Sequence, residues 1–378
     1  MGNAGFKVNV LTNRLKGESK FQEDGNLTVY RIPLFTDCES PKYSILKRFD
    51  VLLSTSLRRM LKWADVVYVP RFWYSAIPIV KAYGKPVITH LHDYIPICPL
   101  SNLYETSENT VCTHNSLSCS YKCIYLYEKH QNRSHVELLA STFLNSTLGR
   151  CVGKLVGLSD AIICVSKAQR ELLVRTNPLL SSKTYVIYNP LPKISPIQME
   201  GSGYGFFGGP SFLKGFRVLC RALAILRKSG DVRNRTYATN FRNLGKTNSE
   251  IFKKLGIATY GRLDSGPFEE VYRQIRTVIV PSIWPEPLPY VVTEAILRGR
   301  LLIASRIGGI PEEVEGCEGA FLFEAGNFQE LADTLEYSNS LTREVVVDLA
   351  TQSREVVAKR FCNERIAQSF AKLCNDLL

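Results

Sequence analysis

The chain lacks the features that carry a protein into or across a membrane. No window offers the roughly 18 uncharged apolar residues of a membrane-spanning helix. Charged residues interrupt the most apolar stretches: Arg71, Lys81, Arg276 and Arg298. The N-terminus has neither the basic start nor the apolar core of a signal peptide. We therefore predict a cytoplasmic protein.

The composition excludes the disordered and collagen-like classes. Apolar residues make up 45% of the 378 positions and charged residues 22%, as in soluble globular proteins. A chain of this length exceeds the size at which one hydrophobic core keeps growing, so it predicts two domains.

Long blocks of basic residues are also absent, although the net charge is +12. Such a charge favours a polyanionic partner: nucleic acid, an anionic membrane face or a phosphorylated ligand. Because the lysines and arginines are spread along the chain, we predict no nucleic-acid partner.

The eleven cysteines are an odd number and lie mostly in apolar segments, as buried free thiols do. One group falls within 26 positions beside His114: Cys98, Cys112, Cys119 and Cys123. Its spacing matches no standard zinc motif. Free thiols in a loop and a structural zinc site are both open interpretations.

Short β-branched runs alternate with segments of helical period along the whole chain. The predicted strands are FKVNVL, DVVYVP, KPVITHLH, AIICVS, KTYVIYNP, GYGFFG, GIATYG, TVIVPS and RLLIAS. The predicted helices cover 167–175, 215–228, 266–275, 289–298 and 327–337. Because parallel strands need crossover helices, this alternation predicts an α/β fold of two doubly wound, Rossmann-like parallel sheets that face a ligand cleft.

Proline and glycine divide the chain into these domains. Residues 191–204 are rich in both and read as a linker. The first domain then covers 1–190 and the second 205–355. We expect the last segment, 356–378, to be a helix that packs back on the first domain.

A further helix is predicted from Tyr43 to Trp63. Its basic residues fall within an arc of about 120° opposite an apolar face. They are Lys47, Arg48, Arg58, Arg59 and Lys62. A solvated face and a peripheral contact with anionic lipid are both open.

The stretch PSIWPEPLPYVVTE holds two glutamates in different settings. Pro289 suits the first position of a helix, which leaves Glu286 in the preceding loop and places Glu294 in the second turn. No residue of a capping type precedes the helix, so its first N–H groups meet either solvent or an anionic ligand.

Two further segments carry chemistry. In GYGFFGGPSFLKGF, Gly208 and Gly209 allow close backbone approach and Lys214 lies at a helix start, a combination that suits a diphosphate. The loop matches neither GxGxxG nor the Walker pattern. His92 and Asp93 end the strand KPVIT, where open α/β sheets carry functional loops.

Together these motifs resemble the GT-B glycosyltransferases of family 4, which are retaining enzymes that use nucleotide-sugar donors. The resemblance rests on EPLPYVVTE followed by AILRGRLLIASRIGGIPEEV, on the loop ending LKG, on CVSKAQRELL and VIYNPLP, and on HDYIPICP. It spans nearly the whole chain. It implies transfer of a sugar from a nucleoside diphosphate to a glycan, lipid-linked or small-molecule acceptor, without a metal cofactor.

The resemblance also assigns roles. Glu286 would face the sugar ring, Glu294 would bind the donor ribose, and His92 would reach the donor sugar from the first domain. Lys214 would neutralise the leaving diphosphate. The remaining donor-binding positions would be Gly208, Gly209, Leu288, Pro289 and Tyr290.

Two departures from the family stand out. Gly209 occupies the position of a usual arginine, so Arg217 or Arg262 would have to supply that phosphate contact. The segment AGFKVNVLT, close behind Met1, resembles a later point in the family, so we expect the usual first strand and glycine loop to have no counterpart. The alternative function is therefore a truncated, inactive homologue that binds nucleotide or a partner. A glycoside hydrolase is disfavoured, because Lys214 and the helix-start amides would then serve no purpose.

Overall fold

A computed structural model describes residues 5–14, 17–32, 54–71, 73–113, 121–131, 133–230, 234–241, 246–263 and 265–378. The chain divides into two compact units. One comprises residues 1–190 together with 363–378, and the other residues 191–362.

The described part of the first unit contains these strands: β1 Val8–Asn13, β2 Phe21–Asp24, β3 Leu27–Ile32, β4 Val67–Val69, β5 Val87–Leu91, β6 Tyr104–Glu105, β7 Thr110–Val111, β8 Ala161–Cys164 and β9 Thr184–Val186. Its helices are α1 Thr55–Trp63, α2 Ile77–Ala82, α3 Tyr121–Lys129, α4 His135–Leu144, α5 Arg150–Val156, α6 Lys167–Thr176 and the C-terminal helix, α14 Asn363–Asn375. A π-helical turn, Asn145–Gly149, joins α4 to α5.

Parallel strands form the central sheet of this unit, in the order β4-β5-β8-β9. One face of the sheet is covered by α14, whose Leu373 and Cys374 pack with Ile88 and Ile163. The sheet β1-β3-β2 is separate and mixed, because β1 and β3 are parallel and β2 and β3 antiparallel.

The helix predicted over 43–63 needs correction. Ser54 has an extended backbone, and its side chain accepts a hydrogen bond from the N–H of Leu57, so it caps a helix that begins at Thr55. Lys47 and Arg48 lie outside the described residues. In the described part, Arg58, Arg59 and Lys62 are exposed.

In the second unit the described strands are β10 Gly203–Phe206, β11 Thr236–Ala238, β12 Ile257–Thr259, β13 Ile275–Val280, β14 Leu301–Ser305 and β15 Ala320–Phe323. The helices are α7 Phe216–Lys228, α8 Lys246–Lys254, α9 Ser265–Arg273, α10 Tyr290–Leu297, α11 Ile310–Val314, α12 Phe328–Ser340 and α13 Arg343–Arg360.

All neighbours in the sheet of the second unit are parallel, and the order is β12-β11-β10-β13-β14-β15. The strand order reverses between β10 and β13, where doubly wound sheets bind ligands beyond the carboxyl ends of the strands. The predicted α/β fold with parallel, Rossmann-like sheets is therefore confirmed.

The proline-rich segment between the units is fastened to the second one. The N–H of Ile197 donates to the Arg298 carbonyl over 3.2 Å, and the N–H of Glu200 donates to the Arg273 carbonyl over 2.8 Å. The fully buried Arg300 guanidinium donates to the Ile197 carbonyl over 2.8 Å. Residues 197–200 are therefore held against the second unit by hydrogen bonds.

Candidate functional site

The candidate site lies where two loops meet at the switch point of the second sheet. The loop after β10 carries Gly208, Gly209 and Lys214, and the loop after β13 carries Glu286. The N–H of Ile283 donates to the Leu213 carbonyl over 2.9 Å and joins the loops. The topology therefore brings together two motifs that are 72 positions apart.

An ion pair forms the centre of this site. The Lys214 ammonium donates to both oxygens of the Glu286 carboxylate over 2.7 Å. Ser282 Oγ donates to Glu286 Oε1 over 2.5 Å, and the Lys214 Nζ lies 5.5 Å from the centre of the Trp284 ring. Glu286 is buried, whereas the Lys214 side chain is 37% exposed. A ligand can therefore approach the lysine from solvent.

Glycines hold the two loops close. Gly215 has φ +74°, and a Cβ there would lie 1.6 Å from the Pro281 carbonyl oxygen. At Gly308, which has φ +58°, a Cβ would lie 2.3 Å from the Glu286 carbonyl oxygen. The N–H of Gly309 donates to that same oxygen over 2.8 Å. The backbone of Glu286 is consequently fixed from both sides.

The start of α10 faces this loop. Pro289 is the N-cap, with φ −78° and ψ 113°, rather than the first helical residue as the sequence predicted. No side chain of the described residues caps the helix there. The helix-start amides at Tyr290 and Val291 belong to the first turn, where helix ends attract anions.

Glu294 lies in the second turn of α10, as the sequence predicted, and is half-buried. Burial raises the pKa of its carboxyl group, and the nearby Arg298 opposes that shift. The Arg298 guanidinium lies over the rings of Phe268 and Tyr272, 5.1 and 5.2 Å from their centres. Glu294 and Glu286 therefore occupy different environments.

A third glutamate was missed by the sequence reasoning. Glu313 on α11 is fully buried, and neither carboxyl oxygen has a hydrogen bond of ordinary geometry among the described residues. Burial raises the pKa of Glu313 well above its usual value, and the neighbouring Glu286 adds to this rise. Thr293 opposes the rise but does not cancel it. Burial therefore favours the protonated form of the Glu313 carboxyl group, which lies near Glu286. The only sequence signal was a second acidic residue in GGIPEEV.

In the first unit, His92 directly follows β5, as the sequence predicted. A second histidine, His90, lies within β5 and was not among the predicted site residues. The His90 ring lies 4.5 Å from that of His92, and its Nδ1 is 2.7 Å from the Tyr68 hydroxyl. Burial and the neighbouring His92 lower the pKa of His90 to about 3. Burial and Arg71 also lower the pKa of His92, so both rings are neutral at pH 7. The i, i+2 spacing in THLHD was the available signal.

Asp93 has a structural role. Its carboxylate pairs with Arg71 over 3.0 Å and accepts from the N–H of Ile95 over 3.1 Å. Its backbone carbonyl accepts from the Gln169 side chain over 3.0 Å. These contacts fix the turn that follows His92.

The remaining predicted residues are two arginines and the cysteine cluster with its histidine. Arg217 and Arg262 are exposed. Cys98, Cys112 and Cys123 are buried free thiols, whereas Cys119 and His114 lie outside the described residues. The described residues contain no group of three potential metal ligands. The zinc site stays a prediction, which a measurement of zinc per chain tests.

None of the helices among the described residues is long and apolar enough to span a membrane.

The fold and the motifs define the class of the protein. The chain has two Rossmann-like units, and the second carries two glutamates and a lysine at the switch point of its sheet. This is the arrangement of the GT-B glycosyltransferases. A family model described as Glycosyltransferase Family 4 matches residues 1–192, and one described as Glycosyl transferases group 1 matches residues 203–338. The chain therefore belongs to glycosyltransferase family 4.

Solved structures support the fold. Sucrose-phosphate synthase from Thermosynechococcus elongatus superposes with a TM-score of 0.69 at 14% identity, covering 99% of this chain and 90% of that chain. Anabaena HepE, crystallised with UDP and glucose, gives a TM-score of 0.61 at 18% identity, covering 93% and 86%. At these identities the likeness shows the fold alone.

A curated relative from Klebsiella pneumoniae is described as an uncharacterized 42.6 kDa protein in a cps region. It is 27% identical over 240 residues, which is 60% of this chain. The chain spans 59% of the length of that relative.

Proposed function

We propose that the protein transfers a sugar, with retention of configuration, from a nucleoside-diphosphate sugar to a glycan, lipid-linked or small-molecule acceptor. The observation that carries the proposal is the Lys214–Glu286 pair at the switch point of a doubly wound sheet, beside an uncapped helix start. HepE was crystallised with UDP and with UDP-glucose, which makes UDP-glucose the first donor to test.

The chemistry follows from charge. Breaking the bond between the sugar and the diphosphate builds negative charge on the leaving phosphate. The partly exposed Lys214 ammonium and the first-turn amides of α10 stabilise that charge. Glu286 faces the sugar ring and Glu294 binds the ribose hydroxyls, while the role of His92 toward the donor sugar stays a prediction from the family resemblance. These proposed roles need no metal ion, so adding EDTA should leave the rate of sugar transfer unchanged.

The proposed roles of the two glutamates are tested by separate measurements of binding and turnover. Glu294→Ala should weaken donor binding, since it removes the ribose contact. Glu286→Ala should lower turnover more than donor affinity, because its contact is with the reacting sugar. Calorimetric titration with UDP and transfer of radiolabelled glucose measure the two quantities. Equal losses of affinity alone for both variants would refute this division.

The second candidate is a homologue that binds nucleotide or a partner without transfer. UDP or GDP binding with neither hydrolysis nor transfer, repeated with a chain extended at its N-terminus, would favour it over the enzyme.

We also propose that the protein works at the cytoplasmic face of an anionic membrane and that the basic face of α1 contributes to this contact. Arg58, Arg59 and Lys62 are exposed there, while Leu57 and Leu61 are buried. Flotation with liposomes tests it: Arg58→Glu combined with Arg59→Glu should weaken binding. Unchanged flotation would leave α1 as a solvated face.

A further inference from the structure

Two arginines lie at the end of α10, and they are bound in different ways. The Arg300 guanidinium is fully buried and donates to backbone carbonyls, among them that of Tyr272 over 2.9 Å and that of Ile197 over 2.8 Å. Arg298 is partly exposed, and its Nε is buried with no hydrogen-bond partner among the described residues. Arg300 therefore has a structural role, whereas hydrogen bonding by its Nε does not explain the position of Arg298.

Aromatic side chains of α9 hold the Arg298 guanidinium instead. It lies over the Phe268 ring, 5.1 Å from the centre, and over the Tyr272 ring, 5.2 Å from the centre. The two rings are themselves in contact, with their centres 4.9 Å apart. A planar guanidinium can stack on aromatic faces without using its N–H groups. The two rings therefore fix the place of a positive charge beside α10.

This charge lies one helical turn from Glu294. The N–H of Arg298 donates to the Glu294 carbonyl over 3.0 Å, so the helix is regular here and the two side chains share one side of it. Burial raises the pKa of Glu294, and the Arg298 charge opposes that rise. An acidic residue four positions before a basic one is also the favourable order on a helix.

Two tyrosines face the Glu294 carboxyl group as well, Tyr290 on the same helix and Tyr272 on α9. Burial raises the pKa of both hydroxyl groups, so both are neutral between about pH 5 and pH 8. Among these three neighbours, Arg298 is the one that carries a charge. It is therefore the neighbour that favours the ionised form of Glu294.

We propose that Arg298 is a positioning residue for the donor: held by the two rings of α9, it keeps Glu294 in the carboxylate form that binds ribose. A carboxylate accepts hydrogen bonds on both oxygens, so adjacent ribose hydroxyls can each donate to one of them. A protonated carboxyl group offers less, because one oxygen carries a proton. Arg298 itself need not touch the donor. The proposal rests on the ribose role of Glu294 in the proposed function.

Calorimetric titration with UDP and with 2′,3′-dideoxy-UDP isolates the ribose contact. The two nucleotides share base and diphosphate, so the ratio of their dissociation constants measures what the hydroxyls contribute. In wild type the preference for UDP should increase between about pH 5 and pH 8, as Glu294 loses its proton. Glu294→Gln should reduce the preference by about tenfold at the upper end and remove its pH dependence.

Arg298→Met removes the charge and keeps an apolar stem against the rings. The preference for UDP should then appear at a higher pH than in wild type, because no cation opposes the raised pKa of Glu294. Near pH 5.5 the preference should fall by about threefold or more, and near pH 8 by much less. Arg298→Lys keeps the charge and should restore most of the wild-type pH profile.

Arg221→Met is the matched control. The Arg221 guanidinium lies over the Phe328 ring, 5.3 Å from its centre, on another helix of the same unit. The substitution therefore removes a similar cation–π contact, and the pH profile should stay that of wild type. Thermal unfolding followed by circular dichroism shows that each variant is folded.

The double variant Glu294→Gln with Arg298→Met separates positioning from support of the fold. Glutamine has no proton to lose, so the Arg298 substitution should then leave the preference at the value of Glu294→Gln alone. A purely structural arginine would instead cause the same further loss in both backgrounds.

Two results would overturn the proposal and leave the proposed function standing. One is an Arg298→Met protein with the pH profile of wild type, and the other is an equal further loss in the double variant. A wild type that binds both nucleotides equally at every pH would refute the ribose role of Glu294 itself, and the positioning role of Arg298 with it.

Discussion

At the scale of single residues, the Lys214 ammonium donates hydrogen bonds to both carboxylate oxygens of Glu286. The cation that we assign to the donor diphosphate therefore has an anionic partner within the protein. Nucleotide binding then requires Lys214 to exchange one anionic partner for another, and the exchange lowers the net gain from its charge.

This exchange predicts an unusual variant. Glu286→Gln removes the competing charge and keeps the side-chain shape, so UDP should bind as tightly as to wild type or up to about tenfold more tightly. Turnover should fall, because the group that faces the sugar has changed. Calorimetric titration measures the affinity for UDP, and a transfer assay measures turnover. Ser282→Ala, which leaves the ion pair intact, is the control and should change UDP affinity much less. A large loss of UDP affinity in Glu286→Gln would contradict the exchange.

Glu313 predicts a pH effect on stability. Its folded pKa is raised by burial, so the unfolded chain releases the proton more readily and the carboxyl group destabilises the protein as pH rises above about 4.5. Glu313→Gln keeps the neutral shape at every pH. We expect it to raise the free energy of unfolding by about 1–3 kcal/mol at pH 8 and to have little effect at pH 4. Urea unfolding at the two pH values measures this, and an equal effect at both would contradict it.

At the scale of elements, the two loops of the site depend on the β10–α7 connection. Gly215 lies at the N-cap of α7 in the left-handed region, against the Pro281 carbonyl. The sequence showed a glycine beside Lys214. It could not show that a loop 66 positions further along would leave no room for a Cβ.

That contact predicts the effect of adding one methyl group. Gly215→Ala combines a left-handed backbone with a steric clash and should lower the free energy of unfolding by about 2–5 kcal/mol. Gly230→Ala is the matched control, because Gly230 has φ +89° and open space around its Cβ. It should cost only about 1 kcal/mol. Similar losses for both, measured by urea unfolding, would show that the clash is relieved easily.

Two of the strands that the sequence missed lack a readable hydrophobic period. All four residues of β2, Phe21–Asp24, are exposed, so no apolar alternation marks the strand. In β11, Thr236–Ala238, three residues are too few to show a period. Long, buried strands such as β5 and β14 were predictable because their apolar runs are continuous.

At the scale of the whole molecule, the chain leaves its first unit at residue 190 and returns to it at 363. The return places α14 on the sheet of the first unit, so residues at both ends of the sequence share one core. The first unit is therefore complete only when the last helix is present.

This connectivity predicts that a C-terminal substitution destabilises the N-terminal unit. Leu373→Ala removes a buried side chain and should lower the stability of the first unit by about 2–4 kcal/mol. The calorimetric transition of the second unit should not move. Leu378→Ala is the same substitution at a position 72% exposed, and should change neither transition. A shift of the second transition in Leu373→Ala would contradict the assignment of α14 to the first unit.

The sequence by itself determined the α/β class, the parallel sheets and the positions of Glu286 and Glu294 before and within a helix, because hydrophobic period and proline chemistry are local. Only the tertiary structure brought Lys214 to Glu286 and placed Glu313 near Glu286. These contacts join segments that are remote in sequence, and packing decides them.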